Sequence, residues 1–516
     1  MISRRPYLRN MVANWFGFFV NIAANLFLTP FVIRHLGMEA YGVWVLLISL
    51  TGYLSLIEFG IRPGVGRYVN YYLSLQQIDK VNGLLSTAFG FSVLTVFPLL
   101  LASSVLVANL PAIFPKIPAP LIPSAQIGLM LVALNVWLSF FAASFGSITV
   151  AFERFDLDNL FGIIVLAVRI VAIVLVLHYG GGLIELAWVE AGTAILRIVL
   201  LAGLSKYLFS QLRIHPSLIS RDRFKELMSY GAWAFVSGIA LQLTYWSDSL
   251  IITWFLGPAY VAIYAIGAML ISYGSTLVDR CSVVFSPQIM KDCAKKDFFA
   301  VKDLFKKATI TMLGVGTIIF LGFIAFGREF IELWMGENFR QGYEIVILLA
   351  ISKMFSLPSL SGRAVFWGLN KIRYSACLNL VQGVTSVVLG VIFIALFEMG
   401  IVGVALGNLA PQLVASVFIW ILVCHWINLP VGWLPKQVLL RWVALIVVFY
   451  LMCVCIINFL PSGGWVWFAV KVLLAVGVYV PLMWVILLSK EDKIQLWTYL
   501  VGARSQKSPK IVAEQT

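Results

Sequence analysis

Long apolar segments follow one another along almost the whole chain, separated by short polar gaps. About fourteen can be delimited, each roughly 16 to 27 residues long, close to the ~20 residues that a helix needs to cross the hydrocarbon core of a bilayer. The pattern therefore predicts an all-α polytopic membrane protein. The predicted spans are Asn10–Ile33, Ala40–Gly60, Gly83–Asn109, Ala125–Phe145, Leu160–Leu177, Leu183–Leu204, Ala232–Trp254, Tyr260–Val278, Thr309–Phe326, Ile345–Leu360, Ser375–Phe397, Ile401–Cys424, Val438–Phe459 and Trp465–Leu488.

Basic residues concentrate in every second gap between these spans. The rich gaps and ends include Arg4, Arg5, Arg9, the stretches Arg213–Lys225 and Arg280–Lys307, and the tail Lys490–Lys510. The opposite face carries only Arg34, Lys116, Arg328 and Arg340. Because short cytoplasmic loops collect Lys and Arg, the rich face is predicted to be cytoplasmic, with both chain termini on that side.

Composition excludes several function classes. With 61% hydrophobic and 12% charged residues, the chain does not read as a water-soluble domain. The net charge of +14 is spread over short loops beside the spans, which favours membrane lipids over nucleic acid as the partner. The six cysteines show no metal-type spacing with the four histidines, so neither a disulfide nor a metal site is expected. No phosphate-binding glycine-rich loop ending in Lys-Ser/Thr is present, and no cofactor is expected.

A weak internal repeat divides the chain. A shift of 220 residues places Leu36-Gly37 on Leu256-Gly257, and the spans keep their register. A repeat of six spans predicts two lobes of the same orientation, related by a pseudo-two-fold axis along the membrane normal. The predicted parts are an N-terminal six-helix lobe, a cytoplasmic linker, a C-terminal six-helix lobe, two additional transmembrane helices and a basic cytoplasmic tail (1–204, 205–231, 232–424, 425–489 and 490–516).

Polar residues inside predicted spans indicate a substrate pathway between the lobes. Asn10, Asn14, Asn21 and Asn25 fall within an arc of about 60° on one face of the first span. Asparagine in hydrocarbon is costly, so that face is predicted either to line a cavity or to form hydrogen bonds between helices. Pro30 predicts a bend in the same helix.

Ionisable residues inside spans are the stronger signal. Arg169, Glu190, Arg197, Asp248 and Lys353 each need a partner or a wet cavity, because a charge at a helix centre costs about 2.5 to 3.5 kcal/mol. One interpretation is a set of ion pairs, for instance Arg169 with Glu190. The other is a net basic cavity that attracts an anion, in which guanidinium groups hold phosphate oxygens. Lys471, in the last span, is expected to snorkel outward.

A charged pair at the end of the second span suggests a cytoplasmic gate. Glu58 and Arg62 lie one turn apart. They can pair with each other or with the other lobe near Asp279 and Arg280. A local solvated pair is the alternative, and it would contribute only about 0 to 1 kcal/mol.

Several motifs resemble those of the O-antigen and exopolysaccharide flippases of the multidrug, oligosaccharidyl-lipid and polysaccharide exporter superfamily. They are Arg34–Trp44, Glu58–Gly60 with Gly66–Val69, Asp248–Gly257, Leu333–Gly336 and Gly400–Gly407. The resemblance covers nearly all of residues 10 to 490, with Glu58 where that family more often has Asp. It implies translocation of an undecaprenyl-pyrophosphate-linked oligosaccharide to the outer leaflet of the bacterial cytoplasmic membrane, without covalent chemistry. It also implies a polysaccharide polymerase and a chain-length regulator as partners.

Three other functions stay open at this point. A peptidoglycan-precursor flippase shares the fourteen spans and a cationic cavity, and a cation-coupled drug exporter shares the fold but favours an acidic cavity. A membrane glycosyl polymerase or ligase would be an enzyme with acid/base residues in a sizeable outer loop. The outer loop Gly327–Glu344 carries Glu329, Glu332 and Glu337, but it is too short to form a domain of its own.

The predicted orientation can be tested by thiol labelling. In a variant whose six native cysteines are replaced, a cysteine introduced at Lys307 should resist an impermeant thiol reagent added outside intact cells, and one at Ala119 should react. Labelling at Lys307 from outside would reverse the orientation.

Overall fold

The computed structural model describes residues 4–488 and residue 493, and the described part of the chain is helical with no β-strand. Most of the basic tail predicted at 490–516 lies outside the described residues. The helices are α1 (Arg4–Leu36), α2 (Met38–Leu54), α3 (Ile61–Ser74), α4 (Ile78–Leu94), α5 (Val96–Ile113), α6 (Ile122–Ala151), α7 (Phe155–His178), α8 (Leu183–Leu208), α9 (Arg221–Tyr245), α10 (Ser247–Phe255), α11 (Pro258–Val283), α12 (Ser286–Ala294), α13 (Phe298–Met335), α14 (Gly342–Ser356), α15 (Gly362–Gly368), α16 (Ile372–Ala395), α17 (Gly400–Trp426), α18 (Leu440–Phe459) and α19 (Trp465–Leu482).

Within the described residues, thirteen helical segments are long and apolar enough to cross a membrane. Together with the interrupted segment described next, they confirm the predicted all-α polytopic fold. The seventh predicted span differs from expectation, because the chain leaves the helix at Trp246 between α9 and α10. The apolar part of α9 is consequently short, Phe235–Tyr245. The interruption places Asp248 in the first turn of α10, where a carboxylate complements the helix dipole.

Helix boundaries recur at the spacing of the internal repeat. The helices α2 and α11, α4 and α13, and α6 and α14 begin 220 residues apart, at Met38 and Pro258, Ile78 and Phe298, and Ile122 and Gly342. Gly37 and Gly257 precede the first of these pairs and both have positive φ, 81° and 101°. Glycine adopts this conformation without steric cost, which explains why the Leu-Gly pairs mark equivalent corners.

The chain forms two compact units. The first comprises Met1–Met269 with Ile372–Ala415, and the second comprises Leu270–Lys371 with Ser416–Thr516. The predicted lobe bounds rest on the internal repeat, which this division does not test, so those bounds remain a prediction.

In the first unit, the predicted linker 205–231 is held by buried polar side chains of α4. Asn82 donates from Nδ2 to the carbonyl of Gln211 at 3.0 Å and accepts from the amide of Arg213 at 3.0 Å. The hydroxyl of Thr87 accepts from the amide of Ser220 at 3.1 Å. These bonds satisfy backbone groups of the linker that have no helical partner, so the linker packs along α4.

In the second unit, buried polar contacts join α18 and α19 to α13. The Trp442 indole donates to Thr317 Oγ1 at 2.7 Å, and the Tyr479 hydroxyl donates to the Gly314 carbonyl at 2.6 Å. Lys471 Nζ lies 2.9 Å from both carboxylate oxygens of Glu329. Its side chain is 0% exposed, so the expectation that Lys471 snorkels outward is wrong. A carboxylate on the neighbouring helix supplies the charge compensation that snorkelling would have provided.

Removing one member of this pair should destabilise the second unit more than removing both. We expect Lys471→Met to lower the free energy of unfolding by about 3 kcal/mol, because it leaves Glu329 without its counter-ion. The double variant Lys471→Met with Glu329→Gln should recover most of the loss. Thermal unfolding of the purified protein measures both, and a double variant less stable than the single one would show that the pair is not the cause.

Candidate substrate cavity

A cavity of about 780 Å³ lies within the first unit, walled by α3, α6, α7 and α8. Its volume falls within the range of about 300 to 1,000 Å³ that is usual for small-molecule sites. The wall contributed by α6 includes four consecutive small lining residues, Ala142, Ala143, Gly146 and Ser147. Side chains of this size leave space beside the helix, and the other three helices contribute the charged residues of the lining.

The charged lining of the cavity is net basic. Arg62, Arg67, Arg169 and Arg197 contribute four guanidinium groups, against the carboxylates of Asp158 and Glu190. The lining therefore carries an excess of two positive charges. Such an excess, in a cavity surrounded by apolar helices, attracts an anion and disfavours an organic cation.

Arg169 is held by Glu190 across the α7–α8 interface. Its Nε donates to Glu190 Oε1 at 2.6 Å, and both side chains are partly buried. Asn135 of α6 donates to the backbone carbonyl of Glu190 at 3.0 Å. This bond joins α6 to α8 at the position of the Arg169–Glu190 pair. Arg169 is thus both paired and open to the cavity, and the two interpretations of this residue from the sequence are compatible in the structure.

Arg197 forms a second pair with α7. Its Nη2 donates to Asp158 Oδ1 at 3.0 Å. Gly162 lies against this guanidinium, since a Cβ atom at that position would be 3.3 Å from Nη1 of Arg197. Glu190 and Arg197 share one face of α8, as expected from their spacing, but each forms its ion pair with a residue of α7.

The helix α3 presents two further arginines. Arg62 donates from Nη2 to the carbonyl and the hydroxyl of Ser139 at 3.3 Å, and its Nε is 3.4 Å from Glu58. Half of the Arg62 side chain is exposed. Arg67 stands one and a half turns further along α3 and also lines the cavity. The predicted Glu58–Arg62 pair exists in the structure, and its role as a gate stays a prediction.

The asparagines of α1 make local and interhelical hydrogen bonds. Asn14 accepts from Asn159 of α7 at 2.7 Å, and Asn25 donates to the Asn21 side chain at 2.9 Å. The cavity lining contains none of Asn14, Asn21 and Asn25. The bonds between helices correspond to the alternative that the sequence left open, and a pathway role for these residues stays a prediction.

The other predicted site residues lie elsewhere. Asp248 accepts hydrogen bonds from Tyr264 and from Asn408 Nδ2, the latter at 2.9 Å, in a separate part of the first unit. Lys353 lies on α14 and Arg280 on α11, both in the second unit. Asp279 is 3.9 Å from Arg363 in that unit. Their roles in a pathway or a gate stay predictions.

Sequence reasoning missed Arg67 and Asp158 as cavity residues. Arg67 belongs to the motif Gly66–Val69, but it lies between predicted spans and was treated as part of a loop. Asp158 precedes the predicted start of the fifth span at Leu160, whereas α7 begins at Phe155 and carries it toward Arg197. For Asp158 the signal was present, because it lies within one turn of a predicted span that holds Arg169.

The chain matches one known protein family over more than half of its length. The sequence profile described as polysaccharide biosynthesis protein matches residues 8–292, which includes every wall of the cavity. The chain belongs to the polysaccharide biosynthesis protein family. Two curated proteins similar to it are the uncharacterized membrane protein EpsK of Bacillus subtilis (strain 168) and a putative O-antigen transporter of Shigella flexneri. EpsK is 24% identical over 413 residues, 77% of this chain and 79% of EpsK. The putative transporter is 22% identical over 405 residues, 77% of this chain and 93% of that protein.

Solved structures share the fold of the present chain at low sequence identity. The lipid II flippase MurJ in an inward closed conformation superposes with a TM-score of 0.66 at 14% identity, over 92% of this chain and 97% of MurJ. A multidrug resistance transporter of the MATE family, in an inward-facing conformation, gives a TM-score of 0.67 at 13% identity, over 80% of this chain and 94% of that structure. The chain therefore has the same fold as these two solved structures.

Proposed function

We propose that this protein is a flippase that moves an undecaprenyl-pyrophosphate-linked oligosaccharide from the inner to the outer leaflet of the bacterial cytoplasmic membrane. The observation that carries the proposal is the cavity lined by Arg62, Arg67, Arg169 and Arg197, with only two carboxylates. Guanidinium groups bind phosphate oxygens in a bidentate fashion, and a pyrophosphate offers several such oxygens. The similarity to a putative O-antigen transporter supports the same substrate class.

The chemistry of the substrate explains why only the headgroup enters the cavity. Drawing a polyprenyl chain of about 55 carbons into water would cost ~0.8 kcal/mol per CH₂, which is prohibitive. The lipid tail therefore stays in the bilayer while the pyrophosphate is held by the arginines and the glycan occupies the aqueous space. Translocation by alternating access needs no bond to be made or broken, so the protein acts as a transporter and not as an enzyme.

The charge of the cavity also helps to distinguish the proposed function from a cation exporter and from a peptidoglycan-precursor flippase. An exporter of organic cations would require compensation of the two excess positive charges, which disfavours that function. A peptidoglycan-precursor flippase would carry a pyrophosphate headgroup as well, so the cavity suits it equally, but the family supports surface polysaccharide as the product. We place both chain termini in the cytoplasm, with a polymerase and a chain-length regulator as partners on the product side.

Arg169 provides the sharpest test of phosphate binding. We expect Arg169→Lys to lose much of the export activity, because a point charge replaces a bidentate fork, and Arg169→Ala to lose nearly all of it. Surface polysaccharide at matched protein level in the membrane measures the effect.

Two double variants distinguish phosphate binding by Arg169 from a purely structural pairing with Glu190. If Arg169 served only to neutralise Glu190, Arg169→Ala with Glu190→Ala would restore export, since no charge would be left unpaired. We expect no restoration. As a matched control, Arg328→Ala with Glu332→Ala removes an exposed pair of the second unit, 3.1 Å apart, and should leave export intact. Loss of export in that control would instead favour an acid/base role for the outer glutamates.

A further inference from the structure

Near the start of α18 in the second unit, Trp433 contacts one lysine and is followed three residues later by another. The Lys306 ammonium lies 5.4 Å from the centroid of the Trp433 ring. Trp433 is buried and stacks on Trp420, with 6.1 Å between ring centroids, and Trp420 packs in turn on Phe305. The aromatic stack thus holds Lys306 in place, because an indole face attracts a cation without neutralising its charge.

Lys436 follows Trp433 by three residues, within the turn Leu434–Leu439. Its aliphatic stem lies beside Gly432, since a Cβ atom at Gly432 would be 3.6 Å from Lys436 Cε, and its side chain is exposed. The sequence contains no Asp or Glu from Met399 to Lys490. On α13, the nearby acid Asp303 bonds to Lys307 at 2.6 Å. Positive charge therefore accumulates at the Gly432–Trp433 corner.

An exposed apolar stripe continues from Lys436 along α18. Leu440, Val443, Val447 and Leu451 lie 4, 7, 11 and 15 residues after Lys436, on one face of the helix, and their exposures are 79%, 44%, 50% and 57%. Leu434–Leu439 form a π-helical turn where this stripe begins. A stripe of this kind faces acyl chains in a membrane, and a lysine at its end lies at headgroup level.

We propose that this corner is a binding site for one anionic phospholipid. Its phosphodiester is held between the ammonium groups of Lys306 and Lys436 beside Trp433, and one acyl chain lies along the α18 stripe. Basic pockets at the ends of transmembrane helices recognise headgroups of this charge. The site is in the second unit, so it does not involve the residues of the substrate cavity, and it stands whether or not the transported substrate is a lipid-linked glycan.

The experiment titrates the purified full-length protein in a neutral detergent with phosphatidylglycerol and follows its unfolding temperature. Phosphatidylcholine and inorganic phosphate serve as comparison probes. We expect phosphatidylglycerol alone to raise the unfolding temperature. In Lys306→Gln with Lys436→Gln, the half-effective concentration should rise about tenfold or more, since each lysine near a headgroup contributes about 1 kcal/mol, roughly fivefold in affinity.

The matched control is Lys295→Gln with Lys296→Gln, which removes two exposed charges between α12 and α13 of the same unit. It should bind phosphatidylglycerol as the wild type does, and so should Lys306→Arg with Lys436→Arg. If the double glutamine variant does not fold, the exposed single change Lys436→Gln is compared with Lys295→Gln. Equal weakening in both double glutamine variants, an equal response to phosphatidylcholine, or an equal response to free phosphate would each overturn the proposal.

Discussion

A charge inside a membrane must find a counter-charge or water, and this requirement organises the structure. Each arginine of α7 and α8 forms an ion pair with a carboxylate of the other helix. Arg169 of α7 pairs with Glu190, and Arg197 of α8 pairs with Asp158. Lys471 meets Glu329 in the same way in the second unit. The cost of isolated charges in hydrocarbon makes these pairings a condition for insertion and packing of the helices.

The ion pairs differ in how far they are exposed to a cavity. This difference decides whether a pair can only join helices or can also contact a ligand. Lys471 is fully enclosed, so its pair with Glu329 ties α19 to α13 and offers nothing to a ligand. The pairs of α7 and α8 stay partly exposed to a cavity that Arg62 and Arg67 also line. The lining of this cavity carries four guanidinium groups and two carboxylates, so it is net basic. In the proposed function, a phosphate shares guanidinium groups that their protein partners already orient.

Hydropathy predicted most of the long helices, because the thickness of the bilayer fixes their length, but it did not predict the break at Trp246 within the seventh span. The Leu-Gly corners at Gly37 and Gly257 also exposed the internal repeat, since both need a positive φ. Charge inside spans identified Arg169, Glu190 and Arg197. What the sequence could not supply is the neighbour that each helical face meets. The asparagines of α1 share one face, but the sequence does not show that Asn14 contacts Asn159 of α7, and Asp158 and Arg67 lie outside the predicted spans.

Reconstituted transport tests the proposal that the arginines lining the cavity of the first unit bind a pyrophosphate headgroup during its transfer across the membrane. The measurement is the rate at which a fluorescent undecaprenyl-pyrophosphate oligosaccharide becomes accessible in the opposite leaflet of proteoliposomes. The account predicts rapid transfer by the wild type and a large decrease with Arg62→Gln and Arg67→Gln together, while Lys295→Gln with Lys296→Gln transfers normally. Transfer at the wild-type rate without the two α3 arginines would contradict it.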